Sequence, residues 1–310
     1  MIDATTGAHV WAERYDRDLE DIFALQDEMT QTIVAAVELE LSAAERERAR
    51  HAPPENLDAC ETYQRGLWHM GTFTKDGATE ARTLLRRARE LYPDFAAAHA
   101  YEAYNHYIDV IVGFAASREN SLAAGFEAAK KAVALDDKDS VGYFALGSIL
   151  MMRGEHNASI AALEKSLALN PNFAQSYHGL GFALTLSGRL DEAADSFTMA
   201  ERLSPRDPLK WGFTVVHSLT CTLLQRYDEA VELARETIRE PRAAGFWPST
   251  ALASALGNLD RTDEARAALE EAFKEKPDMT LAYLIEPLPT KEPDGLNPFL
   301  DGLRKAGLTE

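Results

Sequence analysis

The chain has 310 residues, 46% hydrophobic and 26% charged: long enough for two ordinary domains or one repeat array, and apolar enough to bury a core. Aspartate plus glutamate outnumber lysine plus arginine by 50 to 32, and the net charge of −18 argues against nucleic acid or an anionic membrane as main partner. Cys60 and Cys221 are too few for a disulfide framework and show no metal-ligand spacing, so no metal site is expected and a reduced, cytoplasmic setting is the simplest reading.

The first predicted element is a strand. A turn at Thr5-Thr6-Gly7 leads into the alternating run Val10-Trp11-Ala12-Glu13-Arg14-Tyr15, which reads as the last strand of a hairpin. No earlier strand is at hand to pair with it, so residues 1–17 are expected to be extended and poorly anchored. Asp18 to His51 follows as a helix pattern, with Ile22, Leu25, Met29, Ile33, Val34, Val37 and Leu41 in one stripe. The breaker "APPEN" ends it, giving a linker region over 18–58. No basic-then-apolar leader is read at the N-terminus. The most apolar window, Tyr107 to Ala116, is too short to span a bilayer and carries Asp109. A soluble chain is the expectation.

From residue 59 the sequence repeats. "SVGYFALGSILMMRGEHNASIAALEKSLALNPN" from Ser140 aligns with "AQSYHGLGFALTLSGRLDEAADSFTMAERLSPRD" from Ala174. Gly147 pairs with Gly181, Gly154 with Gly188, Leu163 with Phe197 and Pro171 with Pro205, every offset being 34. The spacing predicts paired helices. A small residue at Gly147 or Gly181 lets the pair approach closely, and Gly154 or Gly188 supplies the turn. Asp191 and Glu192 favour the start of the second helix, Ala193, Phe197 and Ala200 face inward, and Pro205 ends the unit. Later units place Ala230 at the Ala193 position 37 residues on, and Ala265 there after 35 more, with Asp260 replacing the turn glycine. Upstream, Ala81, Leu85, Ala88 and Pro93 match, with Gly66 in the small position. The unit between Pro93 and Ser140 is 10 residues longer than the period, around Ile108 to Asn120, where an extended helix or a protruding loop is expected. Six units thus cover 59–280. In 281–310, Phe299, Leu300, Leu303 and Leu308 read as a short amphipathic helix capping the last unit.

A two-helix repeat of this period and pattern resembles the tetratricopeptide repeat (TPR). The resemblance implies an all-α fold: a TPR-type helical-hairpin solenoid, coiled as a right-handed superhelix, with a short N-terminal extended segment and a C-terminal capping helix. The opening stretch is similar, at Asp3, Gly7, Trp11, Glu13, Arg14, Tyr15, Asp16, Asp21, Gln26 and Glu28, to the segment joining a TolB-like sheet domain to a C-terminal TPR array. That join occurs in bacterial signalling proteins, many of which carry a class III adenylate cyclase domain in front. "LRKAGL" (Leu303 to Leu308) looks like their usual end. The resemblance implies that residues 1–17 are the remnant strand of a TolB-like domain, and that the chain is the C-terminal part of a longer protein or the descendant of one. No residues for a cyclase domain are present, so no catalytic residue and no cofactor is implied, and the chain itself is not expected to be an enzyme.

Two sites are weighed. His99 and His106 flank Glu102 on one helix, but seven residues separate them, and His99 stands where Tyr143 and Tyr177 pack in later units, so core packing is the favoured role. The inner face of the first helices is the better candidate. Projecting the register gives Tyr63, Leu67 and Met70 in the first unit, and Tyr104 and Tyr107 in the second. The third contributes Phe144 and Met151, and the fourth His178 and Phe182. Some TPR proteins clamp a peptide's C-terminal carboxylate with groove lysines and asparagines, types absent at these positions. An apolar or helical protein segment is therefore the expected partner. The alternative is that these side chains pack only against a neighbouring unit or the chain's own tail.

Overall fold

The computed structural model describes residues 57–204, 210–240, 245–291 and 293–309. The expected N-terminal strand (1–17) and nearly all of the expected linker region (18–58) lie outside the described residues. What is described is an all-α, TPR-type helical-hairpin solenoid with a capping helix, and no strand occurs among the described residues.

Six helix pairs run in chain order: α1 (Leu57–Met70) with α2 (Lys75–Leu91), α3 (Ala96–Ile111) with α4 (Arg118–Leu135), and α5 (Ser140–Met152) with α6 (His156–Leu169). Then come α7 (Ala174–Leu186) with α8 (Leu190–Leu203), α9 (Lys210–Leu223) with α10 (Tyr227–Arg239), and α11 (Trp247–Asn258) with α12 (Thr262–Glu275). A short α13 (Leu281–Ile285), a 3-10 turn (Pro293–Leu296) and α14 (Asn297–Ala306) complete the described chain.

The repeat pattern has a steric cause. A Cβ added at Gly147 would lie 2.5 Å from Leu163 Cγ, and one at Gly181 would lie 2.8 Å from Phe197 Cζ. The large residue of each second helix thus fills the gap left by the missing side chain of the first. Leu163 and Phe197 are fully buried, as are Leu85 and the inward alanines Ala81, Ala193, Ala230 and Ala265. Each such Leu or Phe contributes about 1.5–3 kcal/mol by leaving water. The turns at Gly154 and Gly188 take positive φ, and Asp260 takes the same left-handed conformation at φ 55°.

Most of the surplus in the long second unit is extended helix. α3 has 16 residues against 13 in α5, and α4 has 18 against 14 in α6; the rest of the surplus is the 112–117 connection. That connection is tied down: Arg118 donates to the Met152 carbonyl at 2.9 Å, and the Asp109 carbonyl accepts from Phe114 and Ala115.

Helix α14 caps the array through its backbone. A Cβ at Gly257 of α11 would overlap the Gly302 carbonyl, and a Cβ at Gly302 would overlap the Ser254 carbonyl. Ser254 donates to the Phe299 carbonyl (2.7 Å) and Asn258 to the Pro298 carbonyl (2.7 Å). Phe299, Leu300, Leu303 and Leu308 are all buried.

This packing separates two glycine substitutions. Gly181→Ala forces a Cβ against the Phe197 ring and should cost about 1–3 kcal/mol, as overpacking does. Gly212→Ala, in α9, meets nothing within 4 Å and should be neutral or stabilising by up to about 1 kcal/mol through helix propensity. Urea unfolding midpoints of the two variants check this; equal midpoints would contradict the close-approach account.

Candidate functional site

First helices of the array converge on an apolar cleft with about 910 Å³ of empty space, part of it open to solvent. From α3 it receives Tyr104, Tyr107, Ile108 and Ile111, and from α7 His178 and Phe182. α9 supplies Trp211, Phe213, Val215, Val216 and Leu219, and α11 supplies Trp247 and Ala251. Phe73, in the turn of the first pair, meets Trp211 ring to ring at 5.5 Å, so the first and fifth units close one edge.

The C-terminal segment runs along another edge. Leu288 and Phe299 line the cleft. Between them and α12 the chain passes the C-terminal ends of earlier first helices. The Tyr283 hydroxyl lies near the turn after α3, where a Cβ on Gly113 would be 3.6 Å away, and Pro289 stands beside Gly154 after α5. The Lys291 amide donates to the carbonyl of Leu186, the last residue of α7, at 3.0 Å. The segment 281–291 therefore covers the rim formed by those helix ends, so the chain's own tail takes part in the groove.

The nine projected groove residues separate into three groups. Tyr104, Tyr107, His178 and Phe182 line the cleft together. Phe144, 2% exposed, lies beneath Tyr104 (4.8 Å) and Phe173 (5.3 Å), and Met151 is 1% exposed. Tyr63 packs on Phe95 (4.9 Å) and Tyr101 (5.9 Å), and with the half-buried Leu67 and Met70 lies outside the cleft lining. Val215 and Leu219 were within reach of the sequence, since they stand 37 residues after His178 and Phe182. Phe73, Trp211 and Leu288 were not, because they meet only through contacts between distant units.

No charged side chain lines the cleft among the described residues. His178 stacks on Phe213 at 4.4 Å, and burial among these rings pushes its pKa down to about 3. Burial likewise raises the Tyr107 phenol above its usual range. Both are neutral at ordinary pH. The wall is therefore uncharged and aromatic: suited to apolar side chains and not to a carboxylate. His99, the other residue weighed, is buried; its Nε2 lies 3.0 Å from the Pro93 carbonyl, while Glu102 pairs with Arg89 at 2.8 Å. No helix among the described residues is long and apolar enough to cross a membrane.

Tetratricopeptide repeat family models match residues 144–208 and 250–279. A Rhizobium meliloti (strain 1021) protein named "Putative adenylate cyclase 3" is 38% identical over 150 residues, covering 48% of this chain and 26% of that protein. The match thus spans about a quarter of that relative's length. A Caenorhabditis elegans "Cell division cycle protein 27 homolog" is 38% identical over 74 residues, 24% of this chain and 9% of that one. Among solved structures, the Cut9–Hcn1 hetero-tetramer of the APC/C aligns with a TM-score of 0.57 at 19% identity, over 69% of this chain and 40% of that one. Pseudomonas aeruginosa PilF aligns with a TM-score of 0.50 at 16% identity, over 73% and 96%. These likenesses show the fold, and the matched segments are TPR units.

Two half-buried histidines set a pH dependence. Burial lowers the pKa of His178 to about 3 and that of His106 to about 4, against 6.5 unfolded, so between those values the unfolded chain binds more protons. Their stabilisation is complete above pH 6.5 and is lost as pH falls towards 3. From pH 7 to pH 5 each should cost on the order of 1–2 kcal/mol. His178→Phe, which installs the residue found at the equivalent Phe144, should shrink the drop in urea midpoint over that interval. An unchanged drop would contradict the assignment.

Proposed function

We propose that the chain is a non-catalytic protein-interaction scaffold, and that its cleft receives the apolar face of a helical segment of a partner protein. The observation that carries this reading is the uncharged aromatic wall shared by α3, α7, α9 and α11. TPR folds serve as scaffolds, and a groove without cations favours apolar side chains over a C-terminal carboxylate. The net charge of −18 favours a partner whose polar face is basic, since complementary charge speeds encounter. In this reading the protein is cytoplasmic, and Tyr63, Leu67 and Met70 extend the contact surface beyond the cleft.

A second reading rests on the 38% identity with the cyclase-named relative. In it the chain is the regulatory C-terminal part of a bacterial class III adenylate cyclase, residues 1–17 are what remains of a TolB-like domain, and 18–58 join it to the repeats. Catalysis then belongs to residues outside this sequence, and the purified chain should form no cyclic AMP from ATP with magnesium or manganese. Turnover that persists through purification would overturn both readings.

Panning a random-peptide display library against the purified chain tests the scaffold reading. The expected winners carry apolar residues at helical spacing with flanking lysine or arginine, and lose binding to Ile111→Asp or Val215→Asp while far-UV circular dichroism is kept. Winners that require a free C-terminal carboxylate, or that bind those variants equally well, would contradict it.

A further inference from the structure

The repeat register exposes a second place where this chain departs from its own pattern. Two positions of the first helix hold Leu146 and Leu150 in the third unit, Leu180 and Leu184 in the fourth, and Leu252 and Leu256 in the sixth. In the fifth unit, on α9, they hold His217 and Cys221. A third departure lies next to them. The position occupied by Leu167, Ile238 and Phe273 in other second helices is Glu201 in α8. The first and second units also place polar residues at the paired positions, Arg65 with His69 and Glu102 with His106, so the case for a site in the fifth unit rests on how its groups meet in space.

The three groups meet. His217 and Cys221 are four residues apart on one face of α9, where side chains stack one turn above the other. A ring nitrogen of His217, Cys221 Sγ and a carboxylate oxygen of Glu229, in the first turn of α10, all lie within 4.8 Å of one another. His217 Nδ1 lies 3.0 Å from Glu201 Oε1, which leaves Nε2 as the ring nitrogen open to a ligand. A carboxylate holding the far nitrogen is the usual support of a metal-bound imidazole, because it fixes the tautomer and raises basicity.

We propose that His217, Cys221 and Glu229 bind a borderline-soft divalent cation of the zinc class, oriented by Glu201. Thiolate, imidazole and carboxylate form a mixed donor set suited to zinc, and three protein ligands leave a fourth position for water. Ligand atoms around tetrahedral zinc are about 3–4 Å apart, so the site must contract slightly on loading. Glu229 is exposed and can close, whereas His217 (5% exposed) and Cys221 (0%) are held by the core. Cys221 must bind as the thiolate and so gives up its thiol proton. Binding releases that proton to solvent as the sulfur–metal bond forms. The cations near the two carboxylates are Arg226, paired with Asp191 at 3.0 Å, and Lys210, paired with Glu236 at 2.7 Å.

Cobalt(II) titration of the reduced full chain tests this. One equivalent should produce a thiolate-to-cobalt charge-transfer band and the intense visible bands of four-coordinate cobalt, both displaced by zinc. Cys60→Ser, which removes the exposed thiol, should keep the bands. His217→Leu with Cys221→Leu, which installs the leucines of the neighbouring units, should abolish them. Glu229→Gln alters only an exposed side chain, so it keeps the test decisive if the double variant misfolds; it should weaken cobalt at least tenfold. Glu201→Gln should weaken it about 10–100-fold. No charge-transfer band, a band that Cys60→Ser removes, or unchanged affinity in Glu229→Gln would overturn the proposal.

Discussion

The closest approach of helix backbones governs this structure. Within a repeat the two helices meet where one contributes no side chain and the other a large one, as Gly147 with Leu163 and Gly181 with Phe197. The same device recurs at the C-terminal end, where Gly257 and Gly302 bring two backbones together and lock the capping helix on. Helices packed this tightly cannot slide, because interiors at crystal-like density have no free volume to shift into. Each pair is therefore a rigid tile, and stacking the tiles fixes where the inner face of every first helix points.

The cleft is a consequence of that stacking. Its residues come from units far apart in the chain, and the contact between Phe73 and Trp211 exists because the array carries the first unit's turn to the fifth unit's helix. The tail adds a second closure along the helix ends, anchored by Lys291 on Leu186. What is left uncovered is apolar and uncharged. An apolar surface held open by a rigid frame gains from being covered, roughly in proportion to the area removed from water. The outer faces carry paired exposed charges such as Arg189 with Glu192 and Arg261 with Glu264, which contribute little individually.

Much of this fold could be read from the sequence because the contacts that define it are local. Gly181 and Phe197 lie 16 residues apart and the pattern recurs at fixed spacing, so each unit reports on the next. Asp260 could be placed in a left-handed turn for the same reason. The cleft was half legible. Tyr104, Tyr107, His178 and Phe182 followed from the register and reach the cleft lining, although three of the four are themselves buried, whereas Phe144 and Met151 lie on the same projected face and do not reach it. Which inner residues line the cleft depends on the curvature of the stack and on the path of residues 281–291, and neither has a local signature. His217 and Cys221 had no clear signal in the sequence, because the first two units also hold polar residues at those positions, Arg65 with His69 and Glu102 with His106.

Partner capture by this fold requires the inner wall to be an open apolar site in the folded chain. The most direct measurement is the fluorescence of an anilinonaphthalene sulfonate probe with the native chain, excited directly and by energy transfer from Trp211 and Trp247. The account predicts saturable enhancement under conditions where the melting transition is intact, and its loss in Val215→Asp with helical content unchanged. No enhancement in the native state, or enhancement indifferent to Val215→Asp, would contradict it.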